Sequence, residues 1–348
     1  RRGHHDRNQW AKFFRKDSLR YPNLPIIKQS INLGLKNYDS PKLFYDTTPC
    51  PNRQKGGSRE AEKLLSTFLN SRGENYQFEM SSPISAEKSC SRLSTHLTYG
   101  TISHRSVFQE ATQKKEKIQL TNKKFAKSIN SFLSRLHWRS HFIQKLEDQP
   151  SIEHESFIPV YDQIREKDFR KLDAWIEGKT GVHFIDACMI YLRNHGWINF
   201  RMRAMLASFA SYNLWLDWRY FGPRLAALFT DFEPGIHYSQ LQMQSGTTGI
   251  NTIRMYNPYK QALDQDPEAK FIKSQLPEYN NFPPSFFFKP PELSNNENLF
   301  NDSKLETIVD VTKTAKFARD KIFSIRKLPE HQKMAKNVFI RHGSRQNR

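Results

Sequence analysis

Two pairs of side chains in this sequence have types and spacings that suit chemistry. Asp231 and Glu233 lie two residues apart, which is typical of paired acid–base carboxylates or of a metal site. His137 and His141 lie four residues apart, a spacing that places both imidazoles on one face of a helix and suits a metal ion. No glutamate or third ligand accompanies the two histidines. Surface histidines are therefore the better interpretation, and we predict no metal site.

The elements that position these residues are predicted to be helices. Apolar residues at helical spacing mark one buried side from Phe125 to Leu146. Further helices are predicted at 183–194 and 197–216, and Asn194-His195-Gly196 is a typical stop for the first of them. No alternating run is long enough to require a β-sheet, and no G-x-G-x-x-G motif follows a strand. The predicted fold class is all-α.

Composition divides the chain into three segments. Residues 1–55 are basic and punctuated by proline, which predicts a linker and wrapping arm. Residues 56–280 carry the helical patterns and form the predicted domain. Residues 281–348 begin as a connection rich in proline and asparagine, and they end in a basic tail with one short predicted helix.

The charge of the chain indicates a polyanionic partner. Lysine and arginine number 54 against 35 aspartates and glutamates, a net charge of +19, which favours nucleic acid before a membrane surface. The longest apolar run, from Ala204 to Leu216, is too short and too polar to span a bilayer. Cys50, Cys90 and Cys188 are isolated, so no disulfide framework is indicated and a reducing compartment suits the chain. We expect a soluble, cytoplasmic protein.

Ordered landmarks extend from Trp175 to Asp266. They read W-I-E-G-K-T-G, D-A-C-M, G-W-I-N-F-R-M-R, L-D-W-R, D-F-E and Y-N-P-Y-K-Q. In this order and spacing they resemble the C-terminal, FAD-binding half of the photolyase/cryptochrome family. The resemblance covers about residues 56–280 and implies one FAD in a helical domain. Full-length members also carry an N-terminal α/β antenna domain, which this sequence, starting at Arg1, does not include.

The resemblance also assigns the cofactor contacts. The segment Cys90-Ser91-Arg92-Leu93-Ser94 matches a family turn that wraps the FAD phosphates, although S-R-L-S alone is the pattern of a helix cap. Arg203 and Asp231 match an arginine–aspartate pair beside the flavin ring, so the resemblance makes the carboxylates cofactor contacts. The implied cofactor-binding residues are Tyr76, Cys90, Ser91, Arg92, Leu93, Ser94, Arg139, Arg203, Asp231, Glu233 and His237.

A DNA-binding mouth is implied on the same grounds. Trp138 and Trp197 match family tryptophans on which a flipped base stacks. Both can instead be core aromatics, and for Trp197 the two interpretations are equally good. Lys123, Lys124 and Lys145 belong to the same helix or its approach and extend the predicted basic rim. The implied DNA-binding residues are Arg135, Trp138, Arg139, Trp197, Phe200 and Arg201.

The sequence departs from the family pattern where lesion repair takes place. Enzymes that repair cyclobutane dimers carry a carboxylate at the position of Arg135 and an asparagine at the position of Phe200. The branch that repairs the other pyrimidine lesion carries a histidine where this chain has Asn199. Arg201 is retained. Neither standard repair site is intact.

The implied electron route and flavin environment are altered as well. Of three family tryptophans between flavin and surface, only Trp218 is retained, because Leu241 and Arg165 occupy the other two positions. We therefore predict slow photoreduction, or photoreduction through another aromatic side chain such as Tyr238 or Trp215. His237 replaces the asparagine beside the reactive flavin nitrogen, where it can donate a proton near neutral pH or simply form a hydrogen bond to the ring. Trp218 and His237 are the candidate catalytic residues.

These departures favour a blue-light-responsive flavoprotein that binds DNA as a cryptochrome-like photosensor or DNA-binding module. The alternative is a DNA photolyase that donates an electron from excited reduced FAD to a pyrimidine lesion. Arg135 and Phe200 favour the first interpretation. Arg201, Trp138 and the charge of +19 keep the second open.

Overall fold

A computed structural model describes residues 7–17, 49–290 and 307–343 of the chain. Within these ranges the only β-pairing is an isolated bridge between Glu166 and Leu216, so the predicted all-α class is confirmed. The helices are α1 (Arg7–Phe14), α2 (Ser58–Asn70), α3 (Tyr76–Glu79), α4 (Pro83–Ser89), α5 (Ser94–Thr98), α6 (His104–Ile118), α7 (Lys123–Asp148), α8 (Phe169–Glu177), α9 (His183–His195), α10 (Phe200–Ser208), α11 (Trp218–Leu228), α12 (Pro234–Ser245), α13 (Pro258–Gln265), α14 (Lys270–Gln275), α15 (Val311–Arg326) and α16 (Pro329–His342).

Local sequence explains where many of these helices begin and end. A polar side chain accepts a hydrogen bond from the first turn of α6, α7, α8, α11, α13 and α15, which satisfies backbone N–H groups that have no partner within the helix. α9 ends at Gly196 with φ 63°, as Asn194-His195-Gly196 predicts. A Cβ atom at Gly196 would lie 2.1 Å from Thr230 Oγ1, so this close approach also requires glycine.

The E-G-K-T-G and D-A-C-M landmarks form one structural unit. The Asp186 carboxylate accepts hydrogen bonds from Thr180 N at 2.9 Å, Thr180 Oγ1 at 2.7 Å and Gly181 N at 2.9 Å. Burial nevertheless raises the pKa of Asp186 to about 6, because the desolvation of the charged form outweighs these bonds. The two landmarks therefore fix the entry of α9.

Helix α7 is the long helix that the apolar pattern predicts. It extends from Lys123 to Asp148, and Phe125, Ile129, Phe132 and Leu136 are buried along one side. α7 packs against both α6 and α12. These two contacts hold α7, and the side chains that it carries, in place. Arg135, Trp138 and Arg139 are carried by this helix.

The helix predicted over 197–216 is shorter and interrupted. It begins at Phe200, because Asn199 Nδ2 donates to Met80 O at 3.1 Å and to Ser81 O at 2.7 Å and so holds the preceding residues on the α3–α4 connection. A π-helix then extends over Phe209–Asn213. There Ser211 O accepts from Arg165 Nε at 3.0 Å, a bond that draws this carbonyl out of the α-helical pattern.

Both terminal segments contain more structure than their composition predicts. In the predicted arm, Trp10 of α1 stacks on Phe14 with ring centroids 4.1 Å apart and meets Phe108 edge-on at 5.0 Å. Residues 1–6 and 18–48 of the arm lie outside the described residues.

The prediction of one short helix in the tail is wrong, because α15 and α16 both follow residue 310. Ala318, Ile322 and Val338 of these helices are buried in one cluster with Tyr161 and Tyr212. The predicted connection over 291–306 and the end of the tail over 344–348 lie outside the described residues.

Candidate functional site

The turn Cys90–Ser94 lies between α4 and α5. Arg92 has a left-handed backbone conformation, φ 62°, and its guanidinium lies over the Trp197 ring, 3.8 Å from the centroid. Arg92 Nη1 is buried and has no hydrogen-bond partner among the described residues. A buried cationic donor without a partner is costly, so this atom is available to an anionic ligand.

Two other predicted contact residues lie beside this turn and are neutral. Cys90 interacts electrostatically with Arg92, Arg72 and Arg135, but burial raises its pKa to about 12, so the side chain is a thiol. Tyr76 is 7% exposed, and burial raises the pKa of its phenol well above the ordinary value. Neither side chain supplies a negative charge against the arginines.

Arg203 and Asp231 form a buried, forked ion pair, as the resemblance implies. Nη1 donates to Oδ1 at 3.0 Å and Nη2 donates to Oδ2 at 2.9 Å, while the Asp231 side chain is 3% exposed. Arg203 Nε also donates to Ile198 O at 2.7 Å, which fixes the plane of the guanidinium. The fork therefore aligns α10 with the turn that precedes α12.

A second pair joins the same turn to α7. Arg139 Nη2 donates to Glu233 Oε2 at 3.3 Å and to Leu97 O at 3.2 Å. Thr98 Oγ1 donates to Asp231 O at 3.5 Å, so α5 also contacts the turn that carries Asp231 and Glu233. The structure thus brings α5, α7, α10 and the Asp231–Glu233 turn together, although the contributing residues are far apart in the sequence.

These pairs occupy both carboxylates of the Asp231–Glu233 turn. Each carboxylate is engaged by an arginine, so neither is poised as a free acid or base. Within the described ranges no three His, Cys, Asp or Glu side chains come together as a metal site requires. The surface position expected for both histidines is wrong for His141, which is 4% exposed and meets the Trp138 ring at 5.2 Å.

His237 lies on α12 among aromatic rings, with Phe232 at 5.3 Å and Phe229 at 6.1 Å between ring centroids. Its Nε2 is 2.9 Å from Gly222 O, and a carbonyl only accepts, so Nε2 carries the proton. The pKa of His237 is lowered to about 4, chiefly by burial and to a smaller extent by the charge of Arg203. The near-neutral titration expected for this residue is therefore wrong, and the ring is neutral at pH 7.

The predicted mouth residues lie on α7 and around the start of α10, two helices that both pack against α12. Arg135 is exposed and Phe200 is 53% exposed, whereas Trp138 is half-buried and stacks on Phe142 at 5.7 Å. Arg201 Nη1 donates to Gln261 Oε1 at 3.3 Å. These four side chains reach the surface or its margin.

Two residues predicted to face DNA lie elsewhere. Trp197 is 7% exposed and its ring is covered by Arg92, so it does not present an open face for stacking. Lys145 is 6% exposed between Phe142 and Phe157, and burial lowers the pKa of its ammonium to about 8. Lys145 therefore does not belong to an exposed basic rim, while Lys123 and Lys124 are exposed.

Tyr238 connects His237 to Trp218 through a series of neighbouring aromatic rings. Tyr238 lies 5.2 Å from His237 and 6.2 Å from Trp218 between ring centroids, and Trp218 Nε1 donates to Ser156 Oγ at 3.0 Å. Trp215 instead contacts Phe317 at 5.1 Å, and the Arg165 guanidinium lies 5.0 Å from its ring. Of the two routes predicted from sequence, the geometry favours Tyr238.

Some partners in the site carry no signal in the sequence. Gly222 O sets the tautomer of His237, and Ser156 orients Trp218. Each pair is distant in the sequence and comes into contact only in the folded chain. Arg72 is a further residue of this kind, because its guanidinium donates to the backbone of the Cys90–Ser94 turn.

Comparisons with solved structures agree with this fold. The archaeal photolyase structure from Sulfolobus tokodaii with two FAD molecules matches with a TM-score of 0.63 and 29% identity over 78% of this chain and 57% of that chain. The Synechocystis sp. PCC6803 cryptochrome structure matches in fold, with a TM-score of 0.69 and 21% identity over 80% and 58% of the two chains. The helical fold is thus shared with solved photolyase and cryptochrome structures.

The sequence comparisons are more specific. The family model of the FAD binding domain of DNA photolyase matches residues 132–324, more than half of the 348 residues. The chain belongs to this family. A deoxyribodipyrimidine photo-lyase from Halobacterium salinarum is 30% identical over 269 residues, which are 72% of this chain and 55% of the relative. The chain spans about half the length of the curated relatives it matches.

FAD is the cofactor of this family, and the residues present fit it. Arg92 supplies a buried cationic donor without a partner, which suits a phosphate. Thr95 Oγ1, three residues further along, is also buried without a partner.

No helix in the described part of the chain is long and apolar enough to cross a membrane.

Proposed function

We propose that this chain is a blue-light-responsive flavoprotein that binds DNA without performing standard lesion repair. The observation that carries the proposal is the pair Arg135 and Phe200, which reach the surface at the positions where dimer-repairing relatives use a carboxylate and an asparagine. An arginine and a phenyl ring accept no hydrogen bond from a base. The mouth therefore lacks the acceptors that would hold a pyrimidine dimer.

Arg92 and the two ion pairs would hold the cofactor. Arg92 would bind phosphate through its unpartnered Nη1, with the hydroxyls of Ser91 and Ser94 available in the same turn. The Arg203–Asp231 and Arg139–Glu233 pairs would border the flavin ring, with an arginine held against each carboxylate. FAD, when bound, supplies absorption of blue light and electron transfer.

His237 offers a hydrogen-bond acceptor to this site. Because Nε2–H donates to Gly222 O, the lone pair of the neutral ring is on Nδ1. A pKa of about 4 keeps this state populated throughout the neutral range. His237 would therefore accept a hydrogen bond from a protonated nitrogen of the ligand and would not donate a proton at pH 7.

Tyr238 and Trp218 supply the aromatic connection to the protein interior. Their ring centroids are 6.2 Å apart, and Tyr238 is 5.2 Å from His237. Burial raises the pKa of Tyr238, so the phenol holds its proton. Electron supply through a phenol that keeps its proton is expected to be slower than through a chain of tryptophans.

DNA binding is supported by charge and by the exposed residues of the mouth. Arg135, Lys123 and Lys124 are exposed, and the chain carries a net charge of +19. Such residues neutralise phosphates without reading bases, so binding is largely independent of sequence and weakens with salt. Trp138 provides one half-buried aromatic side chain at the margin.

A second candidate function is lesion repair by a DNA photolyase. It is favoured by the names of the relatives, among them the Halobacterium salinarum deoxyribodipyrimidine photo-lyase, and by the retained Arg201 and Trp138. In that case Arg135 would contact the phosphate beside the lesion instead of the lesion itself.

A repair assay separates the two functions. Purified chain with reduced FAD is illuminated with blue light on oligonucleotides that carry either pyrimidine lesion, and restored bases are measured by chromatography. We expect binding without repair for the natural sequence, and gain of cyclobutane-dimer repair for the Arg135→Glu, Phe200→Asn double variant. Repair by the unchanged chain at a rate comparable to relatives would establish the photolyase function instead.

A further inference from the structure

Arg72 lies in a 3-10 turn between α2 and α3, and its guanidinium reaches backbone carbonyls in three separate segments. Nη1 donates to Lys88 O at 2.8 Å and to Cys90 O at 2.7 Å. Nη2 donates to Leu64 O at 3.0 Å and to Ser91 O at 3.4 Å. One side chain thus ties the Cys90–Ser94 turn to α2 and α4.

Every donor of this guanidinium is occupied within the protein. An arginine has five N–H donors, of which four are used on the carbonyls and the fifth, on Nε, is directed to Thr67 Oγ1 at 3.0 Å. No donor is left for a ligand. Any effect of Arg72 on ligand binding must therefore pass through the backbone that it holds.

The Cys90–Ser94 turn requires such support. Arg92 has φ 62°, a left-handed conformation in which the Cβ atom lies too close to the following carbonyl oxygen. Within the turn, Leu93 N donates only a long bond of 3.4 Å to Ser91 Oγ. From the other side, Gln54 Nε2 donates to Arg92 O at 2.8 Å. External bonds therefore hold a backbone conformation that the local sequence does not favour.

We propose that Arg72 is a positioning residue for phosphate recognition: it fixes the Cys90–Ser94 turn so that Arg92 presents its free donor to the pyrophosphate of FAD. The inference rests on the proposed role of that turn. Arg92 Nη1 is buried without a partner, and the guanidinium is braced against the Trp197 ring at 3.8 Å, so its aim depends on where the backbone holds its Cα. Loss of Arg72 releases the carbonyls of the two residues that precede Arg92.

The test compares FAD with riboflavin, which has the same ring but no phosphate. Both are titrated into the flavin-free chain, with quenching of flavin fluorescence as the signal. Arg72→Met is expected to weaken FAD binding by about tenfold, since several hydrogen bonds that order the turn are lost, and to change riboflavin binding by less than about twofold. Arg72→Lys is expected to follow in the same direction, because one ammonium cannot span the carbonyls.

Arg219→Met is the matched control. The Arg219 guanidinium also joins two loops, through Asp217 and the Asp162 carbonyl, but it does not touch the Cys90–Ser94 turn. We expect this variant to keep the ratio of FAD to riboflavin affinity. In an Arg92→Ala background the effect of Arg72→Met should shrink, since the two residues act in series.

Three outcomes would overturn the inference: an unchanged FAD affinity, an equal loss for both ligands, or full additivity with Arg92→Ala. If circular dichroism shows that Arg72→Met does not fold, Arg72→Lys decides the same comparison. Failure of the unchanged chain to bind FAD at all would instead reject the proposed function of the turn.

Discussion

Asp231→Asn tests the energetic weight of the ion pair at the centre of the site. The substitution preserves shape but removes the negative charge that two Arg203 donors share at 3.0 and 2.9 Å. Removing one partner of a buried pair typically costs 3–5 kcal/mol because the other charge stays buried and uncompensated. The Arg203 side chain is 25% exposed and keeps its bond to Ile198 O, so we expect the lower end, about 3 kcal/mol of the free energy of unfolding.

The measurement is urea unfolding of the flavin-free chain, followed by far-ultraviolet circular dichroism. A lower midpoint at an unchanged slope reports a loss of stability without a change in the surface exposed on unfolding. The control is Asp264→Asn, which removes an exposed pair with Lys260 at 3.6 Å and is expected to change stability by less than about 0.5 kcal/mol.

A double-mutant cycle with Arg203→Met isolates the interaction itself. If the pair is coupled as the fork geometry indicates, the double variant should lose less stability than the two single variants lose together. The expected difference is at least about 1 kcal/mol. Equal losses for Asp231→Asn and Asp264→Asn, or strict additivity in the cycle, would show that the fork contributes no more than a surface pair.

Further expectations concern acid stability, photoreduction and DNA. Burial lowers the pKa values of His104, His183 and His237 to about 4, below the ordinary 6.5. The stability that depends on their neutral rings is therefore complete above pH 6.5 and is lost as the pH falls towards 4. The loss is about 3 kcal/mol for each ring at 1.36 kcal/mol per pKa unit. Asp186, with a raised pKa of about 6, offsets part of this loss, and urea midpoints between pH 4 and 7 measure the balance. Tyr238→Phe should slow photoreduction of FAD under blue light more than Trp218→Phe does, and the reverse order would reject the Tyr238 route. Arg201→Glu should weaken binding to every duplex and flatten its salt dependence, whereas Trp138→Ala should remove only a preference for damaged sites, about 1–3 kcal/mol of stacking; affinities for intact and lesion-bearing duplexes at two salt concentrations distinguish the two effects.

Periodicity, capping and ordered motifs are local properties, and they are sufficient for the fold class. The choice of site residues came from the resemblance to a family. The apolar stripe of α7 and the stop at Gly196 were predictable because helix geometry repeats every few residues. Arg203 and Asp231, separated by 28 positions, were predictable as partners only through the resemblance to a family. The distances that make them a forked pair come from packing.

The C-terminal helices show where composition misleads. α15 and α16 bury only narrow stripes, including Ala318, Ile322 and Val338, and the remaining positions are largely polar or charged. A sequence of this kind resembles a solvated basic tail, because helix stability here comes from docking on Tyr161 and Tyr212 and not from the segment's own pattern.

Protonation and exposure were decided by tertiary structure alone. His237 is a neutral acceptor because α11 brings Gly222 O to its Nε2 and burial removes water from the charged form. Lys145 has the same local sequence properties as an exposed rim lysine, yet Phe157, twelve residues away, covers it. The Trp197 ring is likewise covered, by the Arg92 guanidinium from a distant part of the chain. The amino-acid sequence by itself determined which side chains are present and on which helices, whereas desolvation and hydrogen bonding, which set their charge and reactivity, depend on neighbours distant in the chain.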